Sequence, residues 1–145
     1  VLAEMPNNLE KINSLQVHMI IGFVVGLLTL IRIFVKKNHQ PLEPLKVENN
    51  ARKKLIKFTH FALYTLILLM VASGITLSIM SGLGEIVFFG SSAPLPEDFS
   101  IYLPRKAHGI FAKVLFAFIG IHIVGVLLYK FKTDSSISKR MWFGK

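Results

Sequence analysis

Four histidines in apolar surroundings are the residues of this chain best suited to chemistry. Two of them, His108 and His122, lie 14 residues apart in the run HGIFAKVLFAFIGIH. On a helix, this spacing is roughly 40° short of four full turns, so both rings leave nearly the same face, about 21 Å apart along the axis. Imidazole is a good metal ligand. One helix could therefore ligate two metal centres stacked along its length.

Long uncharged runs predict the elements that carry these histidines. Of the 145 residues, 52% are hydrophobic and 17% are charged, and the mean hydropathy is +0.56, which is rare for a soluble domain. Three runs, at about 15–35, 58–80 and 106–129, are long enough to cross a bilayer. We expect an all-α integral membrane helical bundle in which residues 1–145 form a single domain. Asn13 or Ser14 is the expected cap of the first helix.

Charge predicts the orientation of the bundle. The net charge of +9 does not indicate nucleic-acid binding, because the cationic residues form two blocks between uncharged runs. Seven Lys and Arg residues lie in 36–57 and five in 130–145, whereas only Lys11, Arg105 and Lys106 lie in or next to the remaining segments outside the spans. By the positive-inside rule, the 36–57 loop and the C-terminal tail are cytoplasmic, and residues 81–105 lie on the outer side.

This orientation puts the N-terminus outside. The first residues, VLAEMPNN, are not a signal peptide, so we expect a fourth transmembrane helix upstream of Val1. The chain has no cysteine, which excludes Cys-ligated iron–sulfur clusters and the Cys-x-x-Cys-His attachment of covalent haem within it.

The expected depths sort the histidines into pairs. His18 and His108 open their spans from the outer side, while His60 and His122 lie toward the inner side. The alternative is that they hydrogen-bond between helices, but four histidines at matched depths favour metal ligation. Two axial histidines make a six-coordinate haem suited to electron transfer.

His39, in the basic loop, is expected to be solvated. Five glycines lie near the histidines of the spans, and their lack of a side chain would leave space for a flat macrocycle: Gly22, Gly74, Gly109, Gly120 and Gly125.

The sequence resembles the bacterial cytochrome b561 family of four-helix membrane cytochromes with two b haems. The segments that carry the resemblance are MPNNLEKINSLQVHMIIG, HFALYTLILLMVASG, VFFGSSAPLPEDFSIYLPRKAHG and HGIFAKVLFAFIGIH. Together they are spread over nearly the whole chain. The 14-residue histidine spacing is also found in the related cytochrome b subunits of formate dehydrogenases and hydrogenases.

The resemblance implies a role for each histidine. His18 and His108 would ligate the outer haem b. His122 would ligate the inner haem b, together with a histidine of the upstream helix or with His60, which matches a family histidine of less certain role. Family members often carry two further histidines after the position of His122, where this chain has Tyr129 and Lys130. A role that rests on those histidines therefore does not transfer.

The resulting functional hypothesis is a multi-pass cytochrome of the bacterial inner membrane. It would pass electrons between a donor on the periplasmic side and the quinone pool. The resemblance includes proteins that oxidise superoxide and reduce quinone, and Arg105 and Lys106 could bind propionates or attract such an anion. One alternative is a haem b anchor subunit of a dehydrogenase or hydrogenase complex. Another is a haem-free membrane assembly or transport subunit.

Overall fold

A computed structural model describes residue 7, residues 9–38 and residues 50–133 of the chain, with side chains up to residue 129. Of the positions named above, His39 and the basic tail beyond residue 133 lie outside these residues, and the side chain of Lys130 is not described. Within it, all regular structure is helical, which confirms the predicted all-α class.

Three long helices account for most of the described chain. They are α1 at Leu9–Asn38, α2 at Asn50–Ser81 and α4 at Leu103–Thr133. Each is long and apolar enough to cross a membrane. The three predicted spans lie inside these helices, as expected. A short helix, α3 at Leu83–Phe89, and one 3-10 turn at Phe99–Ile101 occupy the connection between α2 and α4.

The helices begin earlier than the apolar runs. The prediction that Asn13 or Ser14 caps the first helix is wrong, because α1 already begins at Leu9. Likewise α2 begins at Asn50, within the segment predicted as a loop. The residues added at these starts include Glu10, Lys11, Lys53 and Lys54, and Glu and Lys favour helix. Hydropathy marks the part of a helix that fits the hydrocarbon, whereas the helix itself continues into the polar region.

Packing is centred on α2, which lies against both α1 and α4. Elsewhere the long helices expose large apolar side chains, for example Phe23, Phe61 and Phe116, the last with 74% of its surface exposed. Continuous apolar surfaces of this kind are typical of proteins that contact lipid.

A small apolar cap closes one end of the bundle, which we call the loop end. Its buried members are Leu83, Ile86, Leu95 and Phe99. Ile12 and Leu15 of α1 and Leu77 of α2 pack against them. Glycines at the two ends of α3 make the required turns, since Gly82 and Gly90 have φ values of 68° and 65°, a left-handed conformation that other residues rarely adopt.

At Gly26, α1 packs tightly against Val71 of α2. A Cβ atom built there would lie 2.9 Å from Val71 Cγ2 and 3.3 Å from Val71 Cγ1. Gly26 is buried. The absence of a side chain at this position therefore permits the observed packing, as small residues do between membrane helices.

We expect Gly26→Leu to weaken the contact between α1 and α2, because the new side chain must displace Val71. Overpacking of this kind costs about 1–3 kcal/mol. Thermal unfolding in detergent, followed by circular dichroism, should show a lower midpoint. Adding Val71→Ala removes both atoms that the new side chain meets and should restore part of the loss. A Gly26→Leu variant as stable as the wild type would contradict this packing.

Candidate functional site

The structure brings the four histidines of the spans together in two pairs. The ring centroids of His18 on α1 and His108 on α4 are 6.0 Å apart, with the ring planes at 74°. Those of His60 on α2 and His122 on α4 are 5.1 Å apart, also at 74°. Because α4 contributes to both pairs, the spacing of its two histidines sets the distance between the sites at about 21 Å along the helix axis.

The ring-centre distance of the His18–His108 pair can be compared with that of two imidazoles bound to one metal ion. A bond from a metal to an imidazole nitrogen is about 2 Å long, and that nitrogen lies about 1 Å from the ring centre, so two such ligands need ring centres about 6 Å apart. The observed 6.0 Å meets this requirement. At 5.1 Å, the His60–His122 pair would have to open by about 1 Å to do the same.

Hydrogen bonds fix which nitrogen of His60 carries the proton. Its Nδ1 lies 2.8 Å from the carbonyl oxygen of Ile56. A carbonyl oxygen only accepts, so Nδ1–H is the donor. The Nε2 atom then keeps its lone pair, which is the form that binds a metal.

In His108 as well, the proton lies on Nδ1 and Nε2 keeps its lone pair, but the acceptor is a side chain of another helix. Its Nδ1 lies 3.0 Å from Ser73 Oγ. That hydroxyl donates to the carbonyl oxygen of Met70 at 2.9 Å, so its oxygen accepts from His108 Nδ1–H. Ligating histidines usually donate their other ring N–H to a protein acceptor in this way.

The glycines near the histidines fall into two groups. A Cβ atom built on Gly74 would lie 3.4 Å from His108 Cε1, and one on Gly109 would lie 3.3 Å from Arg105 Nη1. These two glycines therefore let protein side chains approach. A Cβ atom on any of the others would meet nothing within 4 Å: Gly22, Gly120 and Gly125. These three glycines therefore face open space.

In the described part of the chain, no three or more His, Asp or Glu side chains come together to hold a metal ion. The histidines of the spans come together there as two pairs. A pair of axial ligands suits haem, because the porphyrin itself supplies the other nitrogens around the iron.

Residues 2–144 match the family described as prokaryotic cytochrome b561. The chain belongs to this family. No curated relative and no solved structure matches it. Membership confirms the resemblance stated above, and it implies a multi-pass membrane cytochrome that transfers electrons through haem b.

An open cleft of about 520 Å³ lies at the loop end of this cytochrome. Arg105 and Lys106, predicted as anion or propionate contacts, line it together with Lys113, but so do Glu97 and Asp98. Its mixed charge therefore attracts an anion less strongly than the cations alone would.

The carboxylate of Asp98 is held in its charged form by the 3-10 turn beside it. Ser100 donates to it through its hydroxyl at 2.6 Å and through its backbone N–H at 2.7 Å. These bonds hold the pKa of Asp98 below its ordinary value. The negative charge in the cleft thus persists throughout the neutral pH range.

The opposite end of the bundle carries cations packed on tyrosines. Arg32 Nε donates to Tyr64 Oη at 3.1 Å, and Lys36 Nζ lies 5.6 Å from the centre of the same ring. Arg52 lies 5.6 Å from the ring centre of Tyr129. Arg32 thus links α1 to α2.

Sequence reasoning missed Ser73 as a functional residue. The signal was present, because Ser73 is a polar residue deep in an apolar run and directly precedes Gly74, which the sequence did single out. It is buried, with 8% of its surface exposed. Its importance depends on facing His108, which only the packing of α2 against α4 reveals.

Proposed function

We propose that this cytochrome binds two haem b groups and passes single electrons between a donor at the loop end and the quinone pool. The observation that supports it most directly is the presence of two histidine pairs that share α4, about 21 Å apart along its axis. Haem supplies one-electron chemistry, and two haems at different depths provide steps for an electron crossing the bilayer.

The outer haem is assigned to His18 and His108. Their ring separation of 6.0 Å accommodates one iron, and the hydrogen bond of His108 to Ser73 leaves its Nε2 available. The two ligands come from α1 and α4, so this haem would lie between those helices. Gly22, one turn beyond His18, leaves space beside it.

The inner haem is assigned to His122. Its second ligand is either His60 or a histidine of a helix upstream of Val1, as the family resemblance implies. His60 faces His122 and has its Nε2 free, which favours the first choice, but the ring separation of 5.1 Å is short for a shared iron. The geometry therefore leaves both ligand sets in the proposal.

Charge supports the orientation. The segments 36–57 and 130–145 carry most of the cations outside the spans, which supports a cytoplasmic position for them and the C-terminus and a periplasmic position for the loop end. The cytochrome would then lie in the inner membrane. Quinone, dissolved in the bilayer, is the proposed partner on grounds of family membership.

We expect purified protein to show a b-type reduced-minus-oxidised spectrum. His18→Ala and His108→Ala should each remove the outer haem, because each leaves the iron with one axial ligand, while the inner haem remains. Haem content per chain and redox titration measure this loss. His39→Ala is the control and should keep both haems. Retention of all haem in both the His18 and His108 variants would overturn the outer assignment.

Replacing His122 tests the inner site. We expect His122→Ala to remove the inner haem and to leave the outer one, again by haem content and redox titration. His60→Ala distinguishes the two ligand sets, since loss of the inner haem makes His60 its second ligand and retention assigns that role to an upstream histidine. A His122→Ala protein with a normal inner haem would contradict the proposal.

The donor proposed at the loop end is superoxide, a small anion. Arg105 and Lys106 line the cleft there. We expect Arg105→Gln with Lys106→Gln to slow haem reduction by superoxide and to flatten its dependence on ionic strength, because local positive potential raises encounter rates. Lys53→Gln with Lys54→Gln makes the same charge change at the opposite end and should have little effect. Unchanged rates and salt dependence in the first variant would refute this steering.

A further inference from the structure

Ser73 connects α2 to His108 through a short chain of hydrogen bonds. His108 Nδ1–H donates to Ser73 Oγ at 3.0 Å, and the Ser73 hydroxyl donates to the Met70 carbonyl oxygen at 2.9 Å. The carbonyl can only accept. With the Ser73 proton on that carbonyl, the Ser73 oxygen accepts from His108 Nδ1–H, and the Met70 carbonyl is itself a hydrogen-bond acceptor for His108.

Ser73 differs from the other buried residue of α2 in bonding to a neighbouring helix. Only two residues of α2 are buried in the described structure, Thr59 and Ser73, and they are 14 residues apart, the spacing of the two histidines on the facing helix α4. Thr59 Oγ1 donates to the Leu55 carbonyl oxygen of its own helix. Ser73 differs because its oxygen also accepts a bond from α4.

Gly74 provides the clearance for this bond. A Cβ atom at Gly74 would lie 3.4 Å from His108 Cε1 and 3.6 Å from His108 Nδ1. The Ser73–Gly74 dipeptide thus presents a hydrogen-bond acceptor and a flat backbone surface to the ring. Together, Ser73 and Gly74 hold the imidazole proton of His108 on Nδ1 and restrain the position of the ring.

We propose that Ser73 is a positioning residue for His108 and sets the electron donation of this ligand to the outer haem. The proposal rests on the assignment of His108 to that haem. An acceptor at Nδ1–H holds the tautomer and increases the basicity of Nε2. A more basic imidazole donates more strongly to iron and favours its ferric state, so Ser73 lowers the reduction potential of the outer haem.

The matched experiment compares three variants of the full chain with bound haem. Ser73→Ala removes the acceptor, and Ser73→Cys keeps the side chain's shape while replacing oxygen with the weak acceptor sulfur. Thr76→Ala is the control, because Thr76 Oγ1 bonds only to the Ala72 carbonyl oxygen one turn away on the exposed face of the same helix. Redox titration, haem affinity and the ferric electron paramagnetic resonance spectrum are the measurements.

We expect Ser73→Ala to raise the midpoint potential of the outer haem and to weaken its binding by about tenfold or more, the usual effect of removing a partner of a metal-binding histidine. Ser73→Cys should shift the potential of the outer haem in the same direction, but by a smaller amount than Ser73→Ala. This variant still tests the proposal if Ser73→Ala does not fold. The potential of the inner haem and all properties of Thr76→Ala should match the wild type. Wild-type potential and spectrum of the outer haem in either folded Ser73 variant would overturn the proposal.

A haem-free measurement separates this proposal from the assignment of the ligands. In apoprotein, nitrogen NMR of His108 should show Nδ1–H as the single tautomer, and Ser73→Ala should give a mixture. If His18 and His108 prove not to bind haem, the proposed role fails while the hydrogen bond to Ser73 is still seen. If they bind haem but the tautomer is the same in both proteins, the role of Ser73 alone is wrong.

Discussion

A polar side chain inside a bilayer has no water to bond with, and this constraint explains the internal organisation of the bundle. The hydroxyls of Thr29, Thr59 and Thr76 each donate to the carbonyl oxygen of the residue four positions earlier. They are satisfied within their own helix and do not specify how helices pack. Histidine has two ring nitrogens, so a bond to its own helix can satisfy only one of them. Its remaining nitrogen must find a partner on another element.

The pairing of the histidines follows from this requirement. Once Nδ1 of His60 or His108 is fixed as a donor, the ring offers only an acceptor, Nε2, toward its partner. In the proposed assignment, a haem iron bound by both histidines of a pair would satisfy this nitrogen. The local hydrogen bonding is thus compatible with the haem b that family membership implies.

Much of this arrangement could be predicted from sequence because it depends on distances within one helix. The spacing of His108 and His122 gives their common face and separation directly, and hydropathy locates the three spans. The contact between Ser73 and His108 could not be predicted, because it depends on the rotation of α2 about its own axis. The start of α1 at Leu9 was missed because polar helical turns beyond the hydrocarbon carry no hydropathy signal. The cap at Phe99 depends on contacts between distant segments.

The two sites differ in how they depend on packing between helices. His60 bonds to Ile56 in its own helix, so its tautomer survives any rigid movement of α2. His108 bonds to Ser73 on a different helix, so its tautomer depends on the contact between α2 and α4 at Gly74. A small displacement of α2 would therefore alter the hydrogen bond of His108, the proposed ligand of the outer haem, while leaving the hydrogen bond of His60 intact. Under that assignment, electron donation to the outer iron would depend on the packing of α2 against α4, whereas the hydrogen bond of His60 would not.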